Sequence, residues 1–191
     1  MVTPVRPRLI AVCGVPGAGK TTLARGLGLA LHLPVVVRDD LKTGIAHTWA
    51  RADWADPAVR SKLGGKAFAD FHGLLHAYLD TTSALVAEAA WHWSFAREEM
   101  VPVFHRSHTT LVHVEVDPAV AAARYRARFE AGARHSSHVD GAFAAQMDGD
   151  GDDWRRYLPP PDLPCRQVTV DGVLPPDELL IATLGAIGPI P

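Results

Sequence analysis

The chain has 191 residues, of which 48% are hydrophobic and 21% are charged, the proportions of an ordinary folded domain. Its formal net charge of −2 gives no electrostatic reason to expect nucleic acid or an anionic membrane as a partner. No apolar run is long enough to span a bilayer, and the start of the chain does not resemble a signal peptide. Two cysteines without metal-like spacing suit a reducing compartment. These features predict a cytoplasmic protein.

The first predicted strand (9–13) runs into a glycine-rich stretch, 14–21, that fits the pattern G-x-x-x-x-G-K-[ST]. A helix is predicted to follow over Lys20 to Leu31, which gives the motif the strand–loop–helix setting it needs. Such a loop cradles phosphates with its backbone N–H groups, while Lys20 reaches the β- and γ-phosphates and Thr21 helps to hold Mg²⁺. The predicted nucleotide-binding residues are Gly14, Pro16, Gly17, Ala18, Gly19, Lys20, Thr21 and Thr22. The alternative is a glycine-rich turn with an incidental lysine.

The second predicted strand, ending at Val37, leads into Arg38-Asp39-Asp40. Helical spacing of apolar residues then covers 57–79, where Gly64-Gly65 is expected to break or kink the helix. A third strand is predicted over 84–88.

The second half of the chain repeats the alternation of strand and helix. The predicted elements, in chain order, are a helix over 95–104 limited by Pro102, a strand over 110–116, a helix from Asp117-Pro118 to Phe129, a strand over 166–170 and a helix over 176–184. The region 134–164 reads as a loop and connector. Short apolar strands alternating with helices predict an α/β protein with five parallel strands, organised as one domain over 1–191.

Ligands of an open parallel sheet bind beyond the carboxyl ends of its strands. Asp39, Asp40 and Glu88 follow or end predicted strands at that edge, the edge that carries the glycine-rich loop. Five aromatic side chains fall in the segments after the second and third strands and are interpreted as either core or a partly aromatic pocket: Trp49, Trp54, Trp91, Trp93 and Phe95.

The glycine-rich loop, Arg38-Asp39-Asp40 and the arginine-bearing stretch 124–128 together resemble the small P-loop kinases of the adenylate-kinase-like group. Within that group the resemblance is to the AAA-type kinases that include polynucleotide kinases, zeta toxins and chloramphenicol phosphotransferase. It implies a three-layer α/β/α fold with a helical lid over about 121–150. It also implies that Asp39 accepts the proton of the acceptor hydroxyl. Lys42, Trp91 and His92 would then bind the acceptor.

Three further site residues are expected to act on the metal ion or on the phosphate. The family usually places an Asp at the end of the third strand to organise Mg²⁺ and its waters, and this chain has Glu88, which would act through water. Arg124 and Arg128 share one helix face and would stabilise the transferring phosphoryl group. The alternatives are that Asp39 is a helix N-cap and that the arginines form a solvated face, with Arg134 as the next candidate.

His135 and His138 would touch substrate or phosphate in a closed lid, and zinc is disfavoured because no third ligand is evident. The expected activity is transfer of the γ-phosphate of ATP or GTP to a hydroxyl of a small molecule such as a sugar, nucleoside or antibiotic. The first rival is a polynucleotide 5′-hydroxyl kinase, and the second is a non-catalytic or hydrolytic nucleotide-binding module. The donor base depends on the loop near 171–173, and a homodimer is left open.

Overall fold

The computed structural model describes residues 6–49, 52–81, 84–132, 135–138 and 152–189 of the chain. Within these ranges five parallel strands form one sheet with helices on both faces. The strands are β1 (Arg8–Cys13), β2 (Val35–Val37), β3 (Ala84–Glu88), β4 (His108–Glu115) and β5 (Arg166–Asp171). The helices are α1 (Lys20–Leu31), α2 (Arg38–Thr48), α3 (Pro57–Thr81), α4 (Trp93–Arg106), α5 (Pro118–Glu130) and α6 (Pro176–Ile187), with a 3-10 helix at Asp152–Tyr157.

The strand order is β2-β3-β1-β4-β5, so the strand that leads into the glycine-rich loop lies at the centre of the sheet. Val12 of β1 and Val37 of β2 both pair with Glu88 of β3. The carboxyl ends of these three strands therefore meet at one level, which is where a parallel sheet binds its ligands.

The central strand contributes to two separate cores because successive side chains of a strand point to opposite faces. Leu9 and Ala11 pack with Phe71 of α3, in the core that α3 and α4 cover. Ile10 and Val12 pack in the core that α1 and α6 cover. A sheet with helices on both faces is the three-layer α/β/α architecture, and this fold prediction is confirmed.

Helix α3 is continuous for 25 residues, so the predicted break at Gly64-Gly65 is wrong. Buried residues recur every four positions through the diglycine, at Leu63, Ala67 and Phe71. Two glycines cost a helix about 2 kcal/mol relative to alanine, but the burial of a regular apolar face outweighs that local cost.

Helix α4 also extends beyond its predicted end and passes through Pro102. The proline is exposed, so its ring lies on the solvent side of the helix, where loss of one backbone hydrogen bond is tolerated. Strand β4 begins two residues earlier than predicted and ends at Glu115.

The predicted loop and connector over 134–164 contains a 3-10 helix, Asp152–Tyr157. Residues 135–138 are described too, but most of the predicted lid beyond α5 lies outside the described residues. In the part of the chain that is described, no helix has the length and apolar character needed to cross a membrane.

Candidate active site

The glycine-rich loop connects β1 to α1 and is shaped by backbone contacts. Gly14 and Gly17 have φ angles of 137° and 88°, which only glycine adopts readily. A Cβ on Gly14 would lie 2.4 Å from the carbonyl oxygen of Val114, and one on Gly17 would lie 2.4 Å from that of Ala121. The loop therefore has the close backbone packing and the helix N-terminus of an anion-binding turn.

Most of the predicted nucleotide-binding residues line one cleft at this loop, whose volume is about 500 Å³. Those in the lining are Pro16, Gly17, Gly19, Lys20, Thr21 and Thr22. Gly14 and Ala18 lie behind this surface, with Gly14 against Val114 and Ala18 fully buried.

Lys20, the first residue of α1, is buried, and its Nζ donates a hydrogen bond of 2.8 Å to the carbonyl oxygen of Val15 within the loop. Burial lowers the pKa of Lys20, while the carboxylates of Glu88 and Asp39 act in the opposite direction. The lysine is thus a cation that the loop and two carboxylates hold inside the protein, next to the phosphate-binding turn.

Glu88 ends β3 and is almost fully buried, and it accepts a hydrogen bond of 2.9 Å from the Thr21 hydroxyl. Burial raises the pKa of Glu88, and the positive charge of Lys20 opposes that shift. The structure thereby places the two predicted metal-site residues in direct contact.

The donor set fits Mg²⁺, which prefers oxygen ligands and takes only one or two from the protein when it binds together with phosphates. Thr21 offers a hydroxyl oxygen, and Glu88 offers a carboxylate one hydrogen bond away. The described residues contain no group of three or more His, Cys, Asp or Glu side chains able to hold a metal by themselves. Phosphate and water oxygens would therefore complete the coordination.

Asp39 and Asp40 diverge at the start of α2. Asp39 lines the cleft, and its Oδ1 lies 3.8 Å from Nη2 of Arg38. Asp40 points away and pairs with Arg25 of α1 at 2.8 Å. Val37 is the N-cap of α2 and no side chain caps the helix, so the alternative of Asp39 as N-cap is wrong. Only Asp39 of the two is positioned to face a ligand in the cleft.

The other side of the cleft is formed by side chains that come from separate elements. Lys42 and His92, both predicted to bind the acceptor, are in the lining. Trp91 is not: it is 2% exposed and packs in the core against Phe71 and Trp93. Its neighbours Ala90 and His92 both reach the cleft, whereas the indole of Trp91 packs in the core behind them.

His138 belongs to the same wall. Its Nε2 lies 2.9 Å from the hydroxyl of Thr43 on α2, and its side chain is 8% exposed. His135 instead packs edge-on against His47 and Trp54 and is absent from the cleft lining. Of the two histidines that the sequence singles out, His138 is the one that the structure brings to the site.

Arg124 and Arg128 both line the cleft on α5, but their surroundings differ. Nη1 of Arg124 donates a hydrogen bond of 2.8 Å to the carbonyl oxygen of Gly172, in the loop after β5. Arg128 stacks its guanidinium on Tyr125 at 4.5 Å, and its charge acts on Lys20. The charge of Arg128 therefore acts on Lys20, whereas Arg124 connects α5 to the loop after β5. Arg134 lies outside the described residues.

Sequence reasoning missed several cleft residues. Phe95, Tyr125 and Tyr157 line the site, and the Arg38 side chain does so beside Asp39. Phe95 belongs to the five aromatic residues that the sequence offers as either core or a partly aromatic pocket, without a specific role, and Tyr157 lies in the predicted connector. A signal was present for Arg38, because it directly precedes Asp39 at the end of a buried strand.

This arrangement defines a P-loop nucleotide-binding protein: a central parallel strand, a glycine-rich turn at a helix N-terminus, a buried lysine, and a hydroxyl–carboxylate pair whose oxygens fit Mg²⁺. The sequence model of the AAA domain family (AAA_33) matches residues 9–149, and the chain belongs to that family. No curated protein matches the chain.

Solved structures with the same fold include several kinases. A "putative kinase" from Chloroflexus aurantiacus superposes with a TM-score of 0.75 at 23% identity, covering 94% of this chain and 98% of that chain. A shikimate kinase from Acinetobacter baumannii, in complex with shikimate, gives 0.58 at 17% identity, covering 95% and 93%. A gluconokinase from Sinorhizobium meliloti gives 0.56 at 18% identity, covering 96% and 93%. The predicted resemblance to small P-loop kinases of the adenylate-kinase-like group is confirmed.

Proposed function

We propose that the chain is a Mg²⁺-dependent phosphotransferase that moves the γ-phosphate of ATP or GTP to a hydroxyl of a small molecule. One observation carries the proposal: Lys20, the Thr21–Glu88 pair and Asp39 converge on one cleft. A nucleotide-binding module needs the first three residues, whereas a carboxylate beside them is what an acceptor hydroxyl needs.

In the proposed reaction the acceptor oxygen attacks the γ-phosphorus, and the bond from that phosphorus to the β,γ-bridging oxygen breaks. The hydroxyl proton passes to the Asp39 carboxylate, and the nucleoside diphosphate leaves. Lys20 and the loop amides hold the β- and γ-phosphates, while Arg128 stabilises charge on the transferring group. Mg²⁺, when bound, supplies charge neutralisation on the phosphate oxygens.

The acceptor class proposed from the sequence is a sugar, a nucleoside or an antibiotic, in the last case as a self-resistance enzyme. The names of two structural neighbours, gluconokinase and shikimate kinase, denote hydroxylated small molecules and support this class. A polynucleotide kinase is disfavoured by the net charge of −2. We further propose one domain over 1–191 with a lid at about 121–150, in a cytoplasmic enzyme.

The test is a screen of the purified protein with ATP and with GTP against hydroxylated metabolites and antibiotics, read by mass spectrometry for the gain of one phosphoryl group. The decisive pair of variants is Asp39→Asn and Asp40→Asn. Asp39→Asn keeps the size of the side chain but cannot accept a proton, so transfer should fall by roughly 10²- to 10⁴-fold.

Asp40→Asn is the matched control, since Asp40 pairs with Arg25 on the surface. It should leave transfer within about twofold of the wild type, because exposed ion pairs contribute little. Nucleotide affinity and melting temperature should stay nearly unchanged in both variants. Hydrolysis of ATP or GTP that no acceptor stimulates, with both variants fully active, would favour the hydrolytic module instead.

A further inference from the structure

Arg38 is the first residue of α2 and lines the cleft beside the proposed base, with 26% of its side chain exposed. Its contact with Asp39, at 3.8 Å, is longer than a hydrogen bond. Among the described residues its Nε is buried and has no hydrogen-bond partner. The guanidinium therefore lines the cleft while its Nε makes no hydrogen bond to any described residue.

An unsatisfied buried donor is uncommon, because nearly all buried polar groups in native proteins are hydrogen-bonded. A guanidinium carries five N–H donors in a planar fork, which matches the two oxygens of a carboxylate or phosphate. A guanidinium fork in a binding cleft thus has the chemistry of an anion-binding group.

The net charge of the cleft lining also favours an anionic ligand. Five cations line it, and two carboxylates, Asp39 and Glu88, oppose them; the cations are Lys20, Arg38, Lys42, Arg124 and Arg128. The described lining therefore has three positive charges in excess. A magnesium–nucleoside triphosphate complex carries a net charge of about −2 at neutral pH. One positive charge of the lining then remains uncompensated.

The same cleft offers an apolar surface to the organic part of an acceptor. Phe95 is 54% exposed and stacks on the ring of His92, with centroids 4.4 Å apart and planes within 17°. Tyr157 meets His92 edge-on at 6.1 Å. An exposed aromatic ring next to charged groups suits a small molecule with both an apolar face and a polar end.

We propose that the acceptor carries, besides the hydroxyl that is phosphorylated, a carboxylate or phosphate group, and that Arg38 binds this group. The inference rests on the proposed function and narrows its acceptor to hydroxylated organic acids and phosphate monoesters. Asp39 and Arg38, adjacent in sequence, then recognise the reacting hydroxyl and the anionic group of one molecule. Arg38 is a specificity-determining residue in this scheme.

The experiment compares acceptors in matched pairs with and without the anion: gluconate with glucitol, shikimate with its methyl ester, glucose 6-phosphate with glucose, and cytidine 5′-monophosphate with cytidine. The first two pairs test a carboxylate and the last two a phosphate. The wild-type protein should use the anionic member of a pair with kcat/KM about 10- to 100-fold higher.

Arg38→Gln should remove that preference through a higher KM for the anionic acceptor, with kcat and nucleotide affinity little changed. Arg38→Lys should retain part of the preference for the anionic acceptor, because lysine keeps the positive charge but lacks the planar fork of N–H donors. Arg25→Gln is the control, since Arg25 is an exposed arginine that pairs with Asp40 outside the cleft lining.

A binding arm separates this inference from the proposed function. The same pairs are titrated by calorimetry into the protein loaded with Mg²⁺ and a non-hydrolysable ATP analogue. The anionic members could bind, and Arg38→Gln could abolish that binding, although no phosphoryl transfer is detected with any acceptor. This result would contradict the kinase proposal and support the anion site. The inference is overturned if no anionic probe binds, if both members of every pair serve equally, or if Arg38→Gln lowers kcat equally for both.

Discussion

The two sides of the cleft are built in different ways. The nucleotide side comes mainly from one continuous stretch, 9–31, to which β3 adds Glu88, and the shape of its loop depends on backbone carbonyls and on glycine. The opposite side, where we propose that the acceptor binds, is assembled from side chains on α2, α4, α5 and two further segments. His138 and Thr43, which meet there, are 95 residues apart in the chain.

This difference separates what the two sides can do. A turn made of backbone amides recognises any phosphate, because every residue supplies the same N–H group. A wall made of arginine, histidine and aromatic side chains discriminates by charge and shape. In the proposed function, backbone amides recognise the phosphates of the donor and side chains recognise the acceptor. Substitutions on the two sides should therefore have separable kinetic effects.

The largest effect is expected from Lys20→Ala, which removes the buried cation of the nucleotide side. Transfer should fall on the order of 10³-fold, with weaker triphosphate binding, because the lysine acts on the β- and γ-phosphates. Steady-state kinetics and nucleotide titration measure both. Lys66→Ala is the control, since Lys66 pairs with Asp70 on the exposed side of α3. Turnover above about a tenth of wild type would contradict the assignment of Lys20.

Substitutions of the two arginines on α5 test whether this helix acts on the transferring phosphoryl group. Arg128→Ala should lower kcat by about 10²-fold with a smaller effect on nucleotide affinity, because its charge is needed most as the phosphoryl group transfers. Arg124→Ala should reduce kcat less, since Arg124 is bonded to the carbonyl of Gly172. Kinetic silence of both single variants and of the double variant would make them a solvated face.

Glu88→Gln should show opposite effects on activity and stability. Activity should fall about 10- to 100-fold because the carboxylate organises the metal site, and the loss should be partly recovered at high Mg²⁺. The substitution keeps an oxygen for the Thr21 hydroxyl but carries no charge.

The stability of the same variant follows from the raised pKa of Glu88. The pKa of Glu88 is higher in the folded protein than its ordinary value of 4.5, so deprotonation of Glu88 opposes folding. The free energy of unfolding of the wild type therefore falls as the pH rises from 4.5 through the folded pKa. Without nucleotide, Glu88→Gln should therefore melt at a higher temperature than wild type near pH 8, and the two curves should converge near pH 4. A variant that melts lower at pH 8 would mean that Glu88 serves as a structural partner for Lys20.

Local sequence signals were sufficient for most of the fold and for the nucleotide side. The strands, the loop and α1 follow from apolar runs and from one contiguous motif. The continuity of α3 through Gly64-Gly65 did not follow, because burial of Leu63, Ala67 and Phe71 is a tertiary effect. The low helix propensity of two adjacent glycines favours a break, whereas packing of the buried face maintains the helix.

The residues of the proposed acceptor side were harder to predict, because their positions also depend on tertiary packing. Asp39 and Lys42 could be selected because they lie next to a strand end, but Trp91 could not be separated from His92, its neighbour in sequence. The structure turns Trp91 into the core and His92 into the cleft. The contact between Thr43 and His138 depends on how α2 and residues 135–138 approach each other, which no local pattern encodes.

The glycines of the phosphate-binding turn limit how this gene can evolve. The atoms that a Cβ on Gly14 or Gly17 would strike are the carbonyl oxygens of Val114 and Ala121, 2.4 Å away in each case. Every amino acid carries that oxygen, so no second-site substitution at either partner can make room. No mutation at the contacting residue can therefore compensate for loss of either glycine. Homologues that have changed their acceptor should still carry both glycines.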